Sequence, residues 1–139
     1  MADLNFLVVT GRATKDPIPR RKYAGLKVEF SIEVERPFTR ATGEPVSDMF
    51  LVDVWGPVAQ ECLATVRAGT LLLVIGTLNK ETFTRFGEKE HLTVIKARHV
   101  RVLSNTTYRD RLPWEALRGD AWDEGVVADY LEVIERLLT

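Results

Sequence analysis

Two segments of the chain alternate between apolar and polar residues with the period of two that is typical of half-buried β-strands. In residues 26–36, LKVEFSIEVER, the even-numbered positions from Leu26 to Val34 are apolar and the intervening positions are polar. In residues 49–55, MFLVDVW, the even-numbered residues are again apolar and β-forming. We therefore predict two strands that each bury one face and present the other, and Phe30 and Phe50 fall on the buried faces.

Three further strands are indicated by longer apolar runs. Residues 4–14, LNFLVVTGRAT, and residues 70–78, TLLLVIGTL, are nearly continuous runs of strand-forming residues, and the second is expected to continue through residues 79–83. After a turn at RFGEK, residues 90–103 return as a strand, EHLTVIKARHVRVL, with a register break expected near Lys96–Arg98. The first two runs predict buried strands.

Proline and glycine residues between these strands indicate loops and turns. Residues 16–25, DPIPRRKYAG, are predicted to be a loop, and Pro37 is expected to weaken strand pairing beyond Arg36. Residues 39–48, TRATGEPVSD, have the composition of a turn.

Pro57 suits the first position of a helix. The spacing of Ala59, Cys62, Leu63 and Val66 then predicts one apolar helix face, with Gly69 ending the helix.

The predicted order is three strands, one helix and two strands within residues 1–103. A single helix between the third and fourth of five strands matches the partly open barrel called the OB-fold. We therefore predict an all-β domain over residues 1–103. The chain of 139 residues has room for this one domain and an extension over residues 104–139.

The extension has a different pattern. Apolar residues recur at helical spacing near its end, at Val127, Tyr130, Leu131, Ile134, Leu137 and Leu138. This predicts an amphipathic helix over about residues 124–138, which would dock on the barrel, on another subunit or on a protein partner.

Composition and charge narrow the functional classes. The chain is 45% hydrophobic and 28% charged, as in ordinary globular proteins, and it has no apolar run of the ~20 residues that a membrane helix needs. We expect no signal peptide, and the single cysteine, Cys62, fits a reducing cytoplasm. The net charge of −1 combines 15 Lys and Arg with 12 Asp and Glu in residues 1–103 and 4 with 8 in residues 104–139. A body of net charge +3 therefore carries an acidic extension of −4.

No pattern of catalytic or metal-ligating residues is found. His91 and His99 are separated along one predicted strand, and the thiol of Cys62 lies on the buried helix face. Asp53 is a lone carboxylate on an outward face and has no predicted partner for acid–base chemistry. The glycines form no phosphate-binding loop. We predict no enzyme activity, no metal and no cofactor.

Aromatic and basic residues are interleaved near the ends of the predicted strands, a composition suited to holding single-stranded nucleic acid by base stacking and phosphate attraction. For Trp55 the alternative is open, because its face, which includes Met49 and Leu51, would equally suit contact with another subunit. The candidate nucleic-acid contacts are Phe38, Trp55, Phe83, Phe86, Arg12, Arg20, Arg21, Arg36, Arg40, Lys80, Arg85 and Lys89.

Six motifs occur in an order that resembles the bacterial single-stranded DNA-binding protein family. They are VVTGRATKDPIPR, ERPF, ATGE, DVWGPVAQECLATVRAGT, VIGTLNKETF and FGEKEHLTVIKARHVRVL, and the resemblance extends over residues 4–103 nearly without gaps. The resemblance implies an OB-fold protomer, usually in a homotetramer, that wraps single-stranded DNA in replication, recombination and repair. It also implies that Phe38, Trp55 and Phe83 stack on bases.

The sequence departs from this family at two places. Met49 stands where the family often has an aromatic residue. The chain ends in YLEVIERLLT, a predicted helix, where the family has a Gly/Pro/Gln-rich tail with an acidic, proline-containing tip that recruits partners. Two alternatives to a DNA-coating role therefore stay open: a primosome-type or recombination accessory scaffold, and an oligomeric OB module that contacts only protein.

Overall fold

The computed structural model describes residues 2–103 and Glu132. The predicted helix over residues 124–138 and the predicted extension over residues 104–139 lie outside this part of the chain, apart from that one residue. Within the described part, residues 2–34 and 49–102 belong to one compact unit, whereas residues 35–48 belong to a second unit.

The chain forms six strands and one helix in the order β1 (Leu7–Ala13), β2 (Ile18–Lys22), β3 (Gly25–Thr39), β4 (Pro45–Trp55), α1 (Pro57–Thr65), β5 (Leu71–Arg85) and β6 (Glu88–Val102). The strands build one sheet in the order β1-β5-β6-β4-β3-β2. β1 also pairs with β3, through Arg12 opposite Glu33, and this second pairing curls the sheet into a barrel. The predicted all-β OB-fold with a helix before its last two long strands is confirmed.

The core lies inside the curled sheet and is closed by α1. It is built from the apolar faces that the alternation predicted, including Phe30 at 3% exposure and Val52 and Val54 at 0%. Phe50 packs against this core while remaining partly exposed. Ala59 and Cys62 of α1 are buried in the same cluster, so the predicted helix face is confirmed. Burial raises the pKa of the Cys62 thiol to about 11, which suits a packing role and not a reactive thiolate.

The helix ends earlier than predicted. Its last residue is Thr65, and Val66 has an extended backbone, although its side chain is fully buried in the core cluster as the predicted spacing required. Gly69 lies beyond the helix in a turn with φ 86°, where its N–H donates to the carbonyl of Ala13 at 2.7 Å.

The segment predicted to be a loop contains a strand. Residues 18–22 form β2, which pairs antiparallel with the start of β3, from Ile18 opposite Glu29 to Lys22 opposite Gly25. Every residue of β2 is exposed, so no apolar alternation marks it in the sequence. Pro19 is tolerated because β2 is the edge of the sheet, where a missing N–H can face solvent.

Two details of the long strands test the predicted breaks. β3 continues through Pro37 to Thr39, so the expected weakening beyond Arg36 does not end the strand. The β5–β6 pairing passes from Ile75 opposite His99 to Gly76 opposite Ala97, which leaves Arg98 as an extra residue. The predicted register break near Lys96–Arg98 is thus confirmed as a β-bulge.

Candidate nucleic-acid interface

Trp55 ends β4 on the outward face of the sheet. It is 40% exposed, and Met49 and Leu51 lie on the same face with exposures of 67% and 38%. The predicted outward row of apolar side chains is therefore confirmed. The Nζ atom of Lys27, on neighbouring β3, lies over the Trp55 ring at 5.9 Å from its centroid.

A chain of alternating charges fixes Lys27 beside Trp55. Its Nζ atom lies 3.2 Å from a carboxylate oxygen of Glu29 and 3.2 Å from one of Asp53, and Arg20 Nε donates to Glu29 at 3.0 Å. The prediction that Asp53 has no partner is wrong, because the pairing of β3 with β4 brings Lys27 to it. Arg20, a predicted nucleic-acid contact, is therefore already paired with the carboxylate of Glu29.

Burial and ion pairing act in opposite directions on these groups. Burial raises the pKa of Asp53, which is only 8% exposed, although the ammonium of Lys27 partly counteracts this effect. Burial also tends to lower the pKa of Lys27, but its hydrogen bonds to Glu29 and Asp53 outweigh that effect and the pKa is raised. Lys27 is therefore charged at neutral pH, and its ion pairs hold it over the ring.

The second unit contains a similar arrangement. Phe38 is 54% exposed, and the guanidinium of Arg36 lies over its ring at 5.8 Å from the centroid. Arg36 Nε and Nη2 each donate to a carboxylate oxygen of Asp48, at 2.7 and 2.8 Å. The bidentate hydrogen bond from Arg36 holds the pKa of the Asp48 carboxyl below its ordinary value. Nearby, the hairpin turn is closed by the N–H of Arg40 donating to the carbonyl of Glu44.

The third exposed ring is at the tip of the β5–β6 hairpin. Phe86 and Gly87 link the strands, with φ values of 51° and 80°, and Phe86 is 94% exposed. A non-glycine residue with positive φ is uncommon, and an aromatic one is strained. The guanidinium of Arg85 lies over this ring at 5.6 Å from its centroid.

The other predicted residues of this hairpin follow its two strands. Phe83 lies on β5 opposite Glu90, at the strand position that the sequence predicted. Lys80 Nζ donates to the hydroxyl of Thr93 at 3.0 Å. Lys89 is exposed and lies opposite Thr84 in the ladder. The β5–β6 hairpin therefore gathers five of the twelve candidate contacts: Lys80, Phe83, Arg85, Phe86 and Lys89.

The remaining candidate cations are dispersed. Arg12 is on β1, where its guanidinium donates to the carbonyl of Gly69 at 3.2 Å. Arg21 is exposed on β2, and Arg40 is exposed in the turn after β3. Among residues 2–103, Arg21, Arg40 and Lys89 form no ion pair.

Sequence reasoning missed the groups that hold the aromatic rings and their cations, namely Lys27, Glu29, Asp48 and Asp53. The alternation already placed Lys27 and Asp53 on outward faces. The missing signal was which strands are neighbours and in which register, and that is a property of the whole sheet. Tyr23, fully exposed between β2 and β3, was also overlooked.

Residues 2–103 contain no group of three or more His, Cys, Asp or Glu side chains placed to hold a metal ion. His91 Nδ1 hydrogen bonds to the hydroxyl of Thr82 at 3.1 Å. None of the helices described there has the length and apolar character to cross a membrane.

Comparison with protein families gives a match to the single-strand binding protein family over residues 4–103. The chain belongs to this family. The match ends one residue after β6.

Relatives in this family come from diverse bacteria. The chain is 30% identical over 109 residues to single-stranded DNA-binding protein 2 of Chlorobaculum tepidum, covering 75% of this chain and 74% of that protein. It is 32% identical over 104 residues to single-stranded DNA-binding protein 3 of Listeria innocua, covering 73% of this chain and 65% of that protein.

Solved structures share the fold. A small single-stranded DNA-binding protein from Streptomyces coelicolor superposes with a TM-score of 0.59 at 19% identity, over 70% of this chain and 92% of that one. The Plasmodium falciparum SSB in complex with ssDNA superposes with a TM-score of 0.65 at 18% identity, over 75% of this chain and 98% of that one.

Proposed function

We propose that this protein binds single-stranded DNA without sequence preference and acts in DNA replication, recombination or repair. The observation that carries this proposal is the presence of three exposed aromatic rings, Phe38, Trp55 and Phe86, each with a cationic side chain over the ring. Exposed rings stack on any base, because every base has a π-face. The family membership over residues 4–103 supports the same function.

The cations differ in whether a carboxylate already pairs with them, and the following residues are the clearest examples of each case. Arg21, Arg40 and Lys89 are exposed and form no ion pair within residues 2–103, so they are available to phosphates. Lys27 and Arg36 are already neutralised by carboxylates. Backbone attraction would then come from the first group, and stacking from the rings beside the second.

In this proposal the protein binds DNA as a homo-oligomer and does not catalyse a reaction on it. Met49 and Leu51 are exposed apolar side chains on an outward sheet face, which favours a subunit contact. We expect it to act in a reducing cytoplasm, where the single thiol of Cys62 stays unpaired.

A titration with oligo-dT tests the proposal. In a variant with Trp114 and Trp122 replaced by phenylalanine, quenching of Trp55 fluorescence should report binding, and mass measurement of the complex should give its stoichiometry. Phe38→Ala should weaken binding by about 1–3 kcal/mol, as expected for one lost stacked base. Phe83→Ala should do the same if the family's third stacking position carries over.

Phe6→Ala is a matched control, since Phe6 is 50% exposed and is not a predicted contact. Equal binding by wild type, Phe38→Ala and Phe6→Ala would contradict stacking at Phe38. An absence of any oligo-dT binding, with an intact oligomer, would favour the protein-contact module.

A further inference from the structure

Two exposed aromatic rings share an arrangement in which a cation lies over the ring and is itself held by carboxylates. In one, Lys27 lies over Trp55 and is held by Asp53 and Glu29. In the other, Arg36 lies over Phe38 and is held by Asp48. The two rings belong to different units, so the same arrangement occurs once in each unit.

The Arg36–Asp48 pair is the more informative instance because its geometry is the more restrictive. Both of its hydrogen bonds are short, at 2.7 and 2.8 Å, and they use two nitrogens of the guanidinium fork. A fork bound in this way has a restricted orientation, which holds the guanidinium carbon at 5.8 Å from the ring centroid. Arg36 and Phe38 are two residues apart on β3 and project on the same side of the strand, so the contact needs no change of backbone.

We propose that Arg36 is a positioning residue for the stacking ring of Phe38 and not a phosphate ligand, with Asp48 fixing it in place. This inference rests on the proposed DNA binding. Arg36 covers one face of the ring, and the other face receives a base. Asp48 satisfies the charge of Arg36 before DNA arrives, so no phosphate counterion is exchanged at this residue.

The arrangement also has an electrostatic consequence. Because the cation over each ring is already paired with a carboxylate, the ion pair has little net charge and attracts phosphate only weakly, whereas the uncharged base can still stack on the ring. The DNA strand would therefore present its bases to Phe38. Its phosphates would lie toward cations such as Arg40, which has no ion pair within the described residues.

The salt dependence of oligo-dT binding distinguishes positioning from phosphate binding. Each phosphate contact contributes roughly −0.7 to the slope of log K against log salt. The double variant Arg36→Gln with Asp48→Asn is the sharpest probe, because it removes the pair without altering the net charge. We expect it to bind about two- to five-fold more weakly at every salt concentration, as for loss of an exposed cation–π contact, with an unchanged slope.

Four further variants complete the test: Asp48→Asn, Arg36→Lys, Arg36→Gln, and the double variant combined with Phe38→Ala. Asp48→Asn alone should also weaken binding, since the bidentate pair that holds Arg36 over the ring is lost. Arg36→Lys should behave like Arg36→Gln, because a single ammonium cannot make the bidentate pair. In a Phe38→Ala background, the double variant should have no further effect, because Arg36 acts through the ring.

Several outcomes would overturn the inference. A slope reduced by about 0.7 in the double variant would make Arg36 a phosphate ligand. Tighter binding by Asp48→Asn would make Asp48 a competitor of DNA, and unchanged affinity in every variant would remove any role for the pair. If wild type binds oligo-dT and Phe38→Ala weakens that binding, these results bear on Arg36 alone. If wild type does not bind, the proposed function itself fails.

Discussion

Gly76 of β5 faces the backbone of Lys96 on β6 so closely that a Cβ atom on the glycine would lie 2.1 Å from the Lys96 carbonyl oxygen. The contact coincides with the bulge at which the pairing shifts register. Two backbones approach here without an intervening side chain, which bends the longest hairpin of the barrel.

Gly76→Ala should therefore destabilise the protein. The contacted atom is backbone, so no side chain can swing away, and the strands would have to separate. We expect a loss of about 1–3 kcal/mol or more in the free energy of unfolding, measured by urea denaturation. Thr84→Ala, at an exposed position of the same strand, is the control and should stay within about 0.5 kcal/mol of wild type. A variant as stable as wild type would show that β5 and β6 can move apart at the bulge without a loss of stability.

Phe86→Asn should stabilise the fold and weaken DNA binding together. Asparagine accepts a left-handed backbone better than phenylalanine does, so relief of strain should add about 1 kcal/mol to stability. The ring beside Arg85 would be lost, and with it a stacking surface. Urea denaturation and oligo-dT titration measure the two effects. Phe86→Ala separates them, because it removes the ring but keeps a side chain with a Cβ at positive φ. A less stable Phe86→Asn variant would mean that Phe86 contributes to packing.

The Asp48 carboxyl should titrate below its ordinary range in an NMR pH titration, because Arg36 donates two hydrogen bonds to its charged form. A lowered pKa in the folded protein means that the pair stabilises the fold above the ordinary pKa, and that this stabilisation is lost as the pH falls through the lowered value. In Arg36→Gln the pKa should return toward the ordinary value. An equal pKa in both proteins would show that the pair does not persist in solution.

Lys27→Gln should destabilise the protein more at pH 7 than at acidic pH. It leaves Asp53, at 8% exposure, without its ammonium partner, at a cost of about 1–3 kcal/mol. The pKa of Asp53 is already raised by burial and should rise further. Because the neutral carboxyl is easily buried, the penalty should shrink as the pH falls below that pKa.

Unfolding free energies of this variant and wild type at several pH values would test the effect. Lys22→Gln on exposed β2 is the matched control, and it should change stability little at any pH. A penalty of equal size at all pH values would mean that Lys27 contributes packing and not charge.

The sequence by itself determined which faces of the long strands are buried. Period-two alternation is local, so Phe30, Val52 and Val54 could be assigned to the core and Trp55 to the surface without knowledge of the partners of β3 and β4. The helix face with Cys62 and the register break near Lys96–Arg98 were also predicted from the sequence. The short strand β2 escaped prediction because an exposed edge strand has no buried face and leaves no alternation in the sequence.

Only the tertiary structure decided which charges meet. Lys27 and Asp53 are 26 positions apart, and Arg36 and Asp48 are 12 apart; neither pair has a spacing that marks it in the sequence. These contacts depend on strand order and register, which the sheet fixes as a whole through its core packing. The sequence could therefore nominate Phe38 and Trp55 as stacking rings. The fold was needed to show that the cations beside them are already paired, because register sets the distance between side chains on neighbouring strands.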